Sequence, residues 1–194
     1  MARPRQFDEQ QTLQAVTQLF WDKGYEGTSL SDLCGATQLN RPSLYGAFGN
    51  KEAIFLKCLE AYREKEFPRI LEGIDVEKTP LAKIRRIINN YSGFLTDCSQ
   101  PCGCLVVSCQ HHRNILPPSV KGYLERLHDD FVGFLEGLLL GAVANGELPS
   151  DTNAKDAALS LVSELYGLVI LSSLDRSKVP MVGGQIANRW NECP

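Results

Sequence analysis

The sequence lacks most of the features that would place it quickly. No stretch reaches the ~18 consecutive apolar residues of a membrane span, because Glu136 and Glu164 interrupt the longest candidates. The opening residues, MARPRQFDEQ, contain no apolar secretory segment, so a cytoplasmic protein with no membrane partner is expected. An excess of charge of one sign is missing too: 20 Lys and Arg stand against 23 Asp and Glu, a net −3. Total charge does not announce a nucleic-acid partner, so any such partner must be held by the placement of charge. Alternating strand patterns are scarce, with CLVVSC the one β-like run, and there is no internal repeat.

What is present is helical periodicity along nearly the whole chain. At 194 residues, 43% of them hydrophobic, it can bury roughly 70% of its unfolded surface without disulfides. Asp8 reads as the cap of a first helix with Leu13, Val16 and Phe20 on one face. Gly24, in DKGYEG, suits its left-handed stop. Ser29 and Asp32 form an S-x-x-D box opening a short second helix. Asn40 caps a third, with Pro42 in its first turn, and Asn50 caps a long fourth that frays at Pro68. Further helices are expected from Thr79-Pro80 to Thr96, over a short stretch from Cys104, from Ser119 to Asn145, over 153–174 and near the end of SKVPMVGGQIANRW.

Three short helices broken by tight turns in the first quarter of the chain fit a helix-turn-helix module, and equally a plain helical bundle. In LNRPSLYGAF the core needs Leu39, Leu44 and Phe48, which leaves Arg41, Pro42, Ser43 and Tyr45 elsewhere on the helix. Arg41 can donate two hydrogen bonds to a guanine edge. Ser43 can reach a base or a phosphate, and Tyr45 and Lys51 a phosphate. Thr28 and Ser29 stand at one helix N-terminus and Asn50 at another, both suited to anions. Arg3 and Arg5 form a candidate arm for the DNA backbone or minor groove.

The stretch FDEQQTLQAVTQLFWDKGYEGTSLSDLCGATQLNRPSLYGAFGNKEAIF resembles the DNA-binding domain of tetracycline-repressor (TetR) family regulators. The resemblance lies in Gly24-Tyr25, Thr28-Ser29, Leu44-Tyr45 with Phe48, and Lys51-Glu52. It implies phosphate contacts at Thr28, Tyr45 and Lys51, and base or groove contacts from Arg41, Pro42 and Ser43. The fold class it implies is all-α: a three-helix helix-turn-helix domain over 1–48, then a helical effector-binding and dimerisation domain over 49–194. The expected partners are a palindromic double-stranded DNA operator, a hydrophobic or aromatic small-molecule effector, and a second copy of the chain through the last two helices. The two recognition helices would then sit about 34–36 Å apart. No cofactor is expected. Gln38 departs from the pattern, standing where the family often has glycine, and so does Gly46 inside the third helix.

Tyr91, Phe94, Phe131, Phe134 and Tyr166 recur at helical spacing. A core stripe explains them; the resemblance makes them, with Cys109, candidate effector-pocket residues. The segment CSQPCGCLVVSC packs Cys98, Cys102, Cys104 and Cys109 into a short stretch, followed by His111 and His112. Its spacing leaves open a thiol sensor, a metal-responsive centre built from the Cys98–His112 cluster, and plain packing, since buried cysteine behaves as a small hydrophobe. Gly103-Cys104-Leu105-Val106 resembles a family packing feature. A cysteine enzyme would need an orienting group and an oxyanion site, and nothing in the pattern supplies them, so no catalytic residue and no resident metal are expected.

Overall fold

The computed structural model describes residues 8–99 and 101–191, apart from the His111 side chain. Nine α-helices lie among them: α1 (Glu9–Gly27), α2 (Leu30–Thr37), α3 (Arg41–Phe48), α4 (Lys51–Ile70), α5 (Pro80–Thr96), α6 (Leu105–His111), α7 (Pro118–Ala144), α8 (Ala154–Asp175) and α9 (Val179–Asn188). No strand occurs among the described residues, and LVVSC forms α6. Arg3 and Arg5 lie outside the described residues.

Local chemistry sets the N-terminal boundaries. Asp8 Oδ1 accepts from the Gln10 and Gln11 amides at 2.9 and 3.1 Å. Gly24, at φ 71°, bends α1 before its last turn. Ser29 and Asp32 satisfy each other's backbone N–H groups in a complete capping box. Asn40 accepts from the Ser43 amide at 3.0 Å, and Asn50 from the Ala53 amide at 2.9 Å. Gln38 takes the left-handed conformation, φ 55°, that the turn between α2 and α3 demands.

Burial then ties the pieces together. Phe20, Leu33, Leu44 and Phe48 close the N-terminal core, and α4 contributes Ile54, Phe55 and Cys58 to it. The Phe55 ring lies 4.6 Å from Phe20 and 5.1 Å from Tyr25. The other half of α4 packs on α5, α6 and α7, so α4 is common to both cores. It runs through Pro68 to Ile70 rather than ending at the proline. Asn90 of α5 caps this end from outside, donating to the Ile70 and Glu72 carbonyls at 3.0 and 2.8 Å.

Helix α5 is the axis of the larger core, with Leu81, Ile84, Ile87, Ile88 and Leu95 buried between α4, α7, α8 and α9. Helix α9 lies close against it: a Cβ at Gly183 would fall 2.0 Å from Ser92 Oγ. That approach explains a glycine inside a helix, where propensity alone argues against one. The stretch Ala154–Asn188 is long and apolar enough in composition to cross a membrane. It is, however, two helices separated by a turn at Arg176–Lys178. Part of its apolar surface faces the core through Leu161, Val162, Leu165 and Leu168, while Leu159, Ile170, Leu174 and Met181 stay exposed.

Candidate nucleic-acid interface and effector cavity

One end of α4 carries the first site. Helix α3 turns Leu44 and Phe48 inward, which leaves Arg41 and Pro42 exposed and Ser43 and Tyr45 half-buried on its other faces. The Arg41 guanidinium sits 5.5 Å from the Tyr45 ring centre, and Lys51 Nζ 4.4 Å from that of Tyr25. Tyr25 thus shapes the position of Lys51 although the sequence reading gave it only a turn; its aromatic ring two residues after Lys23, the one basic residue of α1, was the available signal. Cations therefore surround the N-termini of α3 and α4, the places where backbone N–H groups favour anions.

Thr28 is placed inward. Its side chain is fully buried, and its hydroxyl donates to the Gly24 carbonyl at 2.7 Å, so the side chain stabilises the bend in α1. Ser29 is exposed but occupied: its hydroxyl donates to Asp32 Oδ2 at 2.6 Å. Lys23 Nζ reaches Asp32 Oδ1 at 2.6 Å. Hydrogen bonds from Lys23 and Ser29 hold the Asp32 carboxyl well below the usual carboxylate range.

The second site is a cavity of about 280 Å³ at the other end of α4. Its walls come from α4 (Tyr62, Arg63, Glu66, Phe67, Ile70), α5 (Tyr91), the start of α6 (Cys104, Val106, Val107), α7 (His128, Phe131, Phe134) and α8 (Leu165, Tyr166). Aliphatic and aromatic side chains make up much of this surface, with Arg63, Glu66, His128 and Asp130 as its charged or titratable members besides the tyrosines. The Tyr62 hydroxyl lies 3.4 Å from Cys104 Sγ, and His128 Nδ1 lies 2.9 Å from the Tyr166 hydroxyl. Buried Glu66 is paired with Arg69 at 2.6 Å and Lys65 at 3.1 Å, and Arg69 also binds Asp97 at 2.8 Å. Burial pushes the Tyr62 and Tyr91 hydroxyls well above their usual range and Tyr166 up to about 12, so all three are neutral donors.

Of the expected pocket residues, Tyr91, Phe131, Phe134 and Tyr166 line this cavity. Phe94 does not: it is buried beside Tyr91, with Arg69 5.6 Å from its ring centre. Cys109 does not either, because α6 turns it the other way, into a cleft against Phe20 and Trp21 of α1. Tyr62, Glu66, Cys104 and His128 were missed as lining residues; they meet only after helices distant in the chain have packed. The cysteine cluster also separates in space. Cys98 and Cys102 are exposed in the loop, Cys104 faces the cavity and Cys109 faces α1. Among the described residues, no group of three or more His, Cys, Asp or Glu side chains converges to hold a metal ion.

A three-helix reading head joined through one long helix to a cavity-bearing helical body is the layout of a DNA-binding transcriptional regulator. Residues 13–58 match the family model for bacterial regulatory proteins of the tetR family, and residues 80–183 that for the tetracyclin repressor-like C-terminal domain. The chain belongs to the TetR family of transcriptional regulators. It is 27% identical over 198 residues to the HTH-type transcriptional repressor ComR of Escherichia coli (strain K12), covering 98% of this chain and 92% of that one. It is 28% identical over 179 residues to the uncharacterized HTH-type transcriptional regulator YezE of Bacillus subtilis (strain 168), covering 92% and 90%. Among solved structures it resembles a cysteine mutant of the TetR family regulator CifR complexed with 26 bp double-strand operator DNA, with a TM-score of 0.86 and 26% identity over 97% of this chain and 100% of that one.

Proposed function

We propose that this regulator is a homodimeric repressor that leaves a palindromic operator when a hydrophobic or aromatic small molecule enters the α4–α8 cavity. The observation that carries the reading is the double use of α4. Lys51 and the Asn50 cap stand at its DNA end, and five residues of its second half line the cavity. A 20-residue helix is about 30 Å long, so a small tilt at the cavity displaces the reading head. Release requires the effector to bind the DNA-free arrangement more tightly than the DNA-bound one. In this reading Arg41, Pro42 and Ser43 meet base edges and Tyr45 and Lys51 meet phosphates, within a DNA-binding part over 1–48. Repression follows the relatives named as repressors, and the site of action is the cytoplasm, where the operator is.

Uncovered apolar surface supports a second copy against the last two helices. Leu174 is 80% exposed and Met181 59% exposed, and Ile170 is exposed one turn before Leu174 on α8. Leu174→Glu is expected to turn the dimer into a monomer in sedimentation equilibrium and to abolish tight operator binding. The regulatory reading is tested by anisotropy titrations of duplexes taken from the DNA flanking its own gene. Saturable binding to one duplex, weakened in Lys51→Ala, supports it; no duplex binding at low salt overturns it.

A further inference from the structure

One exposed side chain beside the reading helix is held in a conformation that its residue type disfavours. Gln38 follows the last residue of α2 and is the one described residue other than glycine with a left-handed backbone, at φ 55° and ψ 20°. That conformation carries a steric cost that glycine escapes. Asparagine and aspartate offset part of it with a short local hydrogen bond. The longer glutamine does not: its amide makes no hydrogen bond to any described residue.

The turn itself does not need this side chain. Thr37 Oγ1 donates to the Leu33 carbonyl at 2.8 Å and accepts from the Leu39 amide at 3.3 Å. Leu39 packs against the core, and Asn40 caps α3 through the Ser43 amide. All of these bonds survive with no side chain at position 38, and glycine would hold the same backbone with less strain. Packing offers nothing either, since Gln38 is exposed. A strained residue with an exposed, unpaired amide points to a partner outside the chain.

Its place in the reading head says which partner. In a helix-turn-helix the first helix crosses the DNA backbone and the second lies in the major groove. Here those are α2 and α3, and Gln38 is the joint between them. A helix about 10–12 Å across fills a groove about 12 Å wide, so the chain entering α3 runs along the groove's phosphate wall.

We propose that Gln38 is a further DNA contact, donating a side-chain N–H to a backbone phosphate at the edge of each half-site. The proposal rests on α3 being the helix that enters the groove. Such a contact carries no base preference of its own. It fixes the register at which Arg41, three residues on, meets the bases.

The test uses the full chain and a duplex from the DNA flanking its gene, in anisotropy titrations. Gln38→Gly removes the amide and relieves the strain. It is expected to raise the urea midpoint and yet weaken binding about tenfold for each half-site, the equivalent of one hydrogen bond to a charged group. A neutral donor releases no counterion of its own, so the salt slope stays that of the wild type. Gln38→Glu keeps the length and the backbone but puts a negative acceptor where the donor stood, and it is expected to weaken binding more than Gln38→Gly. In duplexes carrying one methylphosphonate each, a position that weakens the wild type is expected to leave Gln38→Gly unaffected. Wild-type affinity in either variant overturns the proposal. A loss confined to duplexes with one particular base pair also overturns it, because Gln38 would then read a base. No duplex binding by the wild type overturns the regulatory reading and this contact with it, whereas unchanged binding in the variants overturns the contact alone.

Discussion

The two ends of α4 are built in opposite ways. At its DNA end the capping groups find their partners three or four residues away: Ser29 with Asp32, Asn40 with Ser43, Asn50 with Ala53, and Thr28 with Gly24. At its cavity end the partners come from across the chain: Tyr62 meets Cys104 forty-two residues on, and His128 meets Tyr166 thirty-eight residues on. A surface that reads DNA needs a fixed shape, and local capping fixes it cheaply. A cavity that responds to a ligand needs walls from several helices, because only separate walls can move relative to one another.

The strongest way to break this contrast is to remove the side chain that joins the two halves. Phe55 is fully buried against Phe20 and Tyr25. Phe55→Ala is expected to cost about 3–5 kcal/mol, read by urea denaturation followed by circular dichroism. If the reading head were an independent unit, two transitions would appear in the variant; a single shifted transition shows that α4 makes both cores one cooperative body.

A smaller effect is expected at the DNA surface itself. Arg41→Ala should weaken binding to the preferred duplex by about 1–3 kcal/mol and relax preference at one base pair, whereas Lys51→Ala should weaken all duplexes alike and lower the salt slope by about 1. Anisotropy titrations at several salt concentrations on a set of single-base variants separate the two. Equal behaviour of both variants would mean that Arg41 holds a phosphate rather than a base.

The same contrast explains what could be read from the sequence. The caps Asp8, Ser29, Asn40 and Asn50 were legible because each is a short-range pattern with one physical meaning. The helix of α9 was less so, since Pro180 and two glycines argue against it; packing of Gly183 on Ser92 overrides that preference. The side-chain direction of Thr28 was not legible, because a helix start suits both an outward contact and the inward bond to Gly24, and only burial chooses. The cavity was legible in residue type but not in membership. Cys109 and Phe94 have the right chemistry and face elsewhere, while Cys104 looked like packing and faces the space.

Removing one cap grades the local end more finely. Asn50→Ala deletes the acceptor for the Ala53 amide and should cost about 1 kcal/mol, seen as a lower urea midpoint with an unchanged slope. Asn50→Asp restores the acceptor and is expected to recover the stability. A loss well above that value would show that the start of α4 depends on more than its own cap.

The finest test is acid, because both ends of α4 hold an aspartate well below its usual range: Asp32 through Lys23 and Ser29, and Asp97 through Ser99 and Arg69. A carboxyl depressed in the folded state adds stability that is present above its unfolded value, about 3.9, and is lost as pH falls through the folded one. Wild-type melting temperature should therefore fall below about pH 4, with both groups contributing in the same direction. Asp32→Asn, which keeps the shape but loses the charge, is expected to lower stability at pH 7 and flatten only part of the acid limb; Asp97→Asn should flatten the rest. Both carboxylates are half-buried and still reached by solvent, so added salt should weaken each effect. If Asp32→Asn instead removes the whole acid limb, the local capping network alone governs acid unfolding, and the long-range Arg69–Asp97 pair at the cavity end adds nothing to it.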